Sequence, residues 1–245
     1  MEAILGFAIA VAISLTGVGA GTLTTPLLII FLGVPPAIAV GTALTFSVIV
    51  KVASVPFYAF NRQINFRILR LLLIGGVPGV IVGSLLLDHF KHGTYEKGVF
   101  IALGVFITAA ACVRLYRVFR PKATPRNQRL HLLPWLTLPI GAEVGFSSAG
   151  AGALGSLILL GMTELSPAEV VGTDLCFGLG LSIVGSGIHL SAGNYDAGLL
   201  INLAIGGVLG ALTGSALAGR VAQRPLRIAL LLTLIALGVR LAWQV

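Results

Sequence analysis

Apolar residues run along this chain in long blocks rather than at amphipathic spacing. Six blocks, at about residues 36–60, 66–87, 97–116, 167–190, 197–218 and 225–243, reach the roughly 20 residues a helix needs to cross a bilayer. Two further blocks, 2–34 and 132–165, are too long for one straight span and too short for two. Glycines interrupt both, at Gly17, Gly19 and Gly21 in the first and at Gly145, Gly150 and Gly152 in the second. Each is expected to form two short helices around a break.

The same order of elements occurs twice, and so do the residues. GAGTLTTPLLIIFLGVPPAIAVGTALTF at residues 19–46 reappears as GAGALGSLILLGMTELSPAEVVGTDLCF at 150–177, an offset of 131 positions without a gap. The same offset relates IGGVPGVIVGS at 74–84 to IGGVLGALTGS at 205–215. A register kept this far implies duplication. The expected organisation is a single membrane domain, with repeat 1 at about 2–116, a linker at about 117–130 and repeat 2 at about 131–245.

Composition strengthens this picture. Charged residues make up only 10% of the chain, against roughly a quarter in a soluble domain, and mean hydropathy is +1.03. The 32 glycines would weaken soluble helices but let membrane helices approach closely. The net charge of +8 would suggest nucleic acid, except that Arg114, Arg117, Arg120, Lys122, Arg126 and Arg129 crowd the linker, as in a cytoplasmic loop. No nucleic-acid partner is expected. Cys112 and Cys176 lie in separate apolar blocks and are expected to be buried small hydrophobes. The first block carries Glu2 and no basic n-region, so it reads as mature structure rather than a signal peptide.

Charge at equivalent loops sets an orientation. The loop after the second element holds Arg62, Arg67 and Arg70 in the first half but only Asp196 in the second. The following loop is near neutral in the first half, with Asp88, Lys91, Glu96 and Lys97, and basic in the second, with Arg220, Arg224 and Arg227. If basic loops face the cytoplasm, the halves are inverted. The expected fold is thus an all-α polytopic membrane protein of two inverted repeats. Each repeat holds a glycine-broken re-entrant or hairpin segment and three transmembrane helices. The linker is expected to be cytoplasmic and both termini outside. Eight plain spans in parallel repeats, the alternative, would put Arg220, Arg224 and Arg227 outside.

The G-x-G-A-G break, the P-A-x-x-V-G-T that opens the next helix and the later I-G-G-V-x-G-x-x-x-G-S together resemble the TauE/SafE family of sulfite-exporter-like membrane permeases, of the 4-toluene sulfonate uptake type. The motifs are individually weak, but their order, duplication and spacing cover nearly the whole chain. The resemblance implies transport of small, often sulfur-containing anions such as sulfite or sulfonates across the inner membrane.

A small anion in lipid needs something to replace its water, and a helix N-terminus supplies unpaired N–H groups and partial positive charge. The second short helix of each broken segment offers such an end, at Gly19, Ala20, Gly21 and Thr22 and at Gly150, Ala151 and Gly152. The other reading of these glycines is tight helix packing. Thr42 and Thr173, in the two Gly-Thr pairs, are further candidates, or they bond back to a carbonyl. Ser147 and Ser148, in the second break only, either donate to the ligand or patch the unwound helix.

Lys51 lies deep in an apolar run, where an ionisable group is costly unless paired or hydrated. It is expected to attract the substrate or release a proton, the alternatives being a snorkelling chain or a structural pair with Asp174. Asp174 stands where the first half has Ala43, and Glu143 precedes the second break; both are candidates for proton coupling. Glu164 and Glu169 flank a turn in which Ser166 is expected to cap a helix. His189, beside Asn194 and Asp196, is expected at the interface.

The leading reading is a secondary anion transporter working by alternating access. No nucleotide or other cofactor and no metal is expected, and oligomeric state is left open. An enzyme would need an intramembrane catalytic set, and the chain has no HExxH and no paired cysteines. A non-transporting assembly or scaffold protein, or a transporter of an unrelated small solute, are the alternatives.

Overall fold

The computed structural model describes residues 2–16, 20–91, 96–119, 130–149, 151–217 and 223–243. Among them it is helical throughout: α1 (Glu2–Thr16), α2 (Ala20–Leu32), α3 (Pro36–Phe60), α4 (Phe66–Phe90), α5 (Glu96–Phe119), α6 (Leu133–Ser147), α7 (Ala151–Met162), α8 (Pro167–Ser191), α9 (Ala197–Leu217) and α10 (Gln223–Trp243). A 3-10 turn at Leu130–Leu132 leads into α6. Both awkward blocks are indeed pairs of short helices. Most of the basic linker, and Arg220, lie outside the described residues.

Local sequence explains the boundaries. Gly33 ends α2 in the left-handed region, with φ of 64°, while its N–H and that of Val34 bond back to Ile29 and Leu28, a glycine C-cap. Proline opens α3 and α8, where its missing N–H costs nothing. Ser166 and Glu169 form the expected capping box on α8.

Four helices, α3, α4, α8 and Ala197–Gly214 of α9, are long and apolar enough to cross a membrane. The apolar stretches of α5 and α10, Lys97–Val113 and Ile228–Trp243, are shorter than the six-span reading expects. Basic residues enter the sequence of the last turns of α5 and the first turns of α10. Large apolar side chains such as Phe57, Ile74, Ile101, Ile205 and Leu209 are exposed around the bundle, a surface suited to lipid. Cys112 is exposed too, correcting the expectation of burial, because its face of α5 is not covered.

The glycines that recur between halves are where backbones touch. Gly75, Gly79 and Gly83 of α4 face the carbonyls of Pro134, Leu138 and Ala142 on α6, and an added Cβ would collide with each. Gly206 and Gly210 of α9 meet Ala3 and Phe7 of α1 in the same way. Gly76 packs on the ring of Phe177, and Gly207 on that of Phe46. In each case a contact between the halves is repeated with both residues moved by 131 positions. Equivalent helices α3 and α8 pack antiparallel, Leu44 lying near Gly185 while Lys51 meets Ser182. The core fills around Phe46 and Phe177, both fully buried.

Candidate functional site

The start of α2 meets the α6–α7 break inside the bundle. α6 ends at Ser147, and Ser148 follows with φ of 61°, its N–H bonded to the Val144 carbonyl at 2.8 Å. For a residue with a Cβ that conformation costs about 1 kcal/mol; the repeat-equivalent residue in the sequence is Gly17, a residue type that adopts it without that cost. The Ser148 hydroxyl donates to the Gly21 carbonyl at 3.0 Å, so the 2.5 Å contact with Thr25 has the threonine hydroxyl donating. Thr22 donates to the Ala149 carbonyl at 2.9 Å. Thr22, Thr25, Ser147 and Ser148 are all buried, so hydroxyls fasten the start of α2 to the α6–α7 break.

Ser147 donates to the Glu143 carbonyl and accepts from the Ala149 amide, which is the helix-patching role. Gly19 and Gly150 lie outside the described residues, and Ala20, Ala151 and Gly152 are placed in the first turns of α2 and α7. Glycine at 21 is required by packing, because a Cβ there would overlap the Ser148 carbonyl.

A second buried polar group lies between α3 and α8. Lys51 is 4% exposed and donates to Ser182 Oγ at 3.0 Å, and Ser47 shares that hydroxyl at 3.2 Å. The Ser156 hydroxyl on α7 donates to Asp174 Oδ2. Asp174 is close enough to attract the Lys51 ammonium, but each group takes a serine as hydrogen-bond partner. Room for the carboxylate comes from Gly155, whose missing side chain Asp174 Oδ1 occupies; the first half has Thr24 and Ala43 at these two positions. Bulk has moved from one helix to the other. Glu143 is part-buried on α6.

The hydroxyls of the Gly-Thr pairs accept from backbone amides of the opposite half. Thr42 Oγ1 accepts from the Asp196 amide at 3.1 Å, and Thr173 Oγ1 accepts from the Asn65 amide at 3.0 Å. Gly41 and Gly172 admit the carbonyls of Asn194 and Gln63. Each pair thus holds the α3–α4 or α8–α9 loop of the opposite half, just before the side chain of Asn65 or Asp196 caps the next helix.

His189, in the last turn of α8, is fully buried, with Gly41 of α3 and Gly145 of α6 beside it. With its proton on Nε2 it donates to the Gly145 carbonyl at 3.1 Å, and Nδ1 faces the Asn194 amide. Asn194 continues to Asp88 and Lys91, which are paired at 2.5 Å.

Sequence reasoning therefore located Gly21, Thr22, Ser148, Lys51 and Asp174, and the structure joins them into two buried polar groups. It missed Thr25, Ser47, Ser156 and Ser182. Two of these were visible in the repeat, since Ser182 aligns with Lys51, and Ser156 with Thr25. Among the described residues no cluster of three potential metal ligands occurs.

A model of the sulfite exporter TauE/SafE family matches residues 3–241. A probable membrane transporter protein, YjnA of Bacillus subtilis (strain 168), is 32% identical over 249 residues, covering 97% of each chain. No solved structure matches.

Proposed function

This chain belongs to the sulfite exporter TauE/SafE family of multi-pass membrane proteins, and from that premise we propose that it is a secondary transporter of small, sulfur-containing anions such as sulfite or sulfonates. The observation that carries this reading is the buried junction of the α2 start with the α6–α7 break at Thr22, Thr25 and Ser148. It sets hydroxyls beside helix N-termini, which favour an anion by their free N–H groups and dipole. Lys51 supplies the positive charge, and Asp174, with Glu143 as a second candidate, carries a proton with the anion.

The two halves act as inverted repeats rocking around the breaks in alternating access. Support comes from contacts that recur when both partners shift by 131 positions, and from the antiparallel packing of the equivalent helices α3 and α8. A two-fold axis that makes equivalent spanning helices antiparallel lies across them, in the plane of the membrane. The basic linker then faces the cytoplasm of an inner membrane, with both termini outside. The deciding experiment is flux of sulfite or a sulfonate into proteoliposomes, with and without a pH gradient. Wild type is compared with Lys51→Met and Asp174→Asn, and equal flux in all three would remove the proposed site.

A further inference from the structure

An open groove of about 1080 Å³ runs along the outer face of α4. Its lining is charged near the start of α4, at Arg67 and Arg70, which we call its mouth, and apolar further along, at Ile74, Val77 and Pro78, its floor; His131 lines it too. On α4 these positions follow one another at three- and four-residue steps, so they form a single stripe. The opposite side of α4 is the glycine face packed on α6. Arg67, Arg70 and His131 are exposed, Ile74 is 56% exposed, and neither arginine has an ion-pair partner among the described residues.

We propose that this groove binds one anionic phospholipid, its phosphate held by Arg67 and Arg70 and its acyl chain laid on Ile74, Val77 and Pro78. Three facts select that occupant. Two uncompensated guanidinium groups in the first two turns of a spanning helix ask for a counter-charge at headgroup depth, and guanidinium groups match phosphate oxygens with paired N–H donors. The floor continues as an apolar surface away from the charges, which a soluble anion does not use. The chain's own linker carries Arg126 and Arg129 just before Leu130, so it has the wrong sign to fill the mouth, and a second copy would bring like charge. The site belongs to one half alone: the repeat-equivalent positions of Arg67 and Arg70 are Gly198 and Ile201.

Native mass spectrometry on the full chain in a neutral detergent, offered phosphatidylglycerol and phosphatidylcholine with identical acyl chains, measures the preference. Wild type is expected to retain phosphatidylglycerol selectively, by roughly thirtyfold for two basic side chains. Arg67→Gln with Arg70→Gln is expected to reduce the ratio to near one. Arg67→Lys with Arg70→Lys should keep most of it, and Arg240→Gln, on another exposed helix surface, should keep all of it. Melting temperature in the same detergent checks that each variant is folded. No preference in wild type, or a preference unchanged in the double glutamine variant, overturns the proposal. So does displacement of the lipid by equimolar glycerol phosphate, which would identify the ligand as a soluble anion.

Discussion

Lys51 and Ser182 occupy the same position in the two repeats, and the ammonium of one donates to the hydroxyl of the other at 3.0 Å. A residue that touches its own equivalent lies where the halves meet, so the charge of Lys51 is buried at the seam between them. A buried ammonium whose hydrogen-bond partner is a neutral hydroxyl has spare donors for an anion. Replacing it with Met is expected to lower anion flux by about thirtyfold, the equivalent of losing roughly 2 kcal/mol of charge-assisted hydrogen bonding. Melting temperature should hold or rise, because the cost of burying a charge goes too. Flux of sulfite into proteoliposomes and thermal unfolding in detergent separate the two effects.

Asp174 bears on coupling rather than binding. If it carries the proton, Asp174→Asn keeps anion exchange at equal pH but no longer responds to an imposed pH gradient. Ser156→Ala, which removes the hydroxyl bonded to the carboxylate, should weaken the response without abolishing it. A gradient response in Asp174→Asn equal to that of wild type would assign the aspartate a structural role.

Ser148 allows strain and hydrogen bonding to be weighed against each other. Ser148→Ala loses the bonds to Gly21 and Thr25, worth about 1 kcal/mol each, and keeps the left-handed backbone strain. Ser148→Gly loses the same bonds but relieves about 1 kcal/mol of strain. Stability should therefore fall in the order wild type, Gly, Ala, as read from unfolding in detergent. Equal loss in both variants would mean that the backbone there is not strained.

The loop clamps predict a graded series. Thr42→Val leaves the Asp196 amide without its acceptor and is expected to cost about 1–3 kcal/mol. Gly41→Ala should cost more, since its Cβ would overlap the Asn194 carbonyl. The pair Thr173→Val and Gly172→Ala should behave alike in the other half, because the same contacts recur there. Melting temperatures of the four variants provide the test.

Topology has an independent check. Asp196→Cys and Arg224→Cys, in an otherwise cysteine-free chain, should label from opposite faces of the membrane, Asp196→Cys from outside. Labelling of Arg224→Cys from outside would make the repeats parallel.

The amino-acid pattern disclosed the broken segments, because their length and glycines conflict with straight spans, and it disclosed the duplication outright. The capping box at Ser166 was equally plain, since it is a local device. The loop clamps at the Gly-Thr pairs are not legible in the sequence because their partners, Asn65 and Asp196, are more than a hundred positions away in the chain. For the same reason the burial of His189 is not legible; nothing nearby in sequence reveals that α6 offers it the Gly145 carbonyl. Thr25, Ser47, Ser156 and Ser182 escaped because a hydroxyl in an apolar helix ordinarily bonds to its own preceding turn. Only a facing helix shows that it does otherwise.

The crossed loop clamps mean that neither half is a finished object. Each lends its partner a slot, Gly41-Thr42 or Gly172-Thr173, and borrows one for its own loop. A half made alone would leave a slot empty and a loop amide unanswered. The covalent linker is then less important to the assembled state than this mutual grip. A chain cut within residues 120–129 and produced as two fragments should reassemble, each fragment being the template on which the other completes its shape.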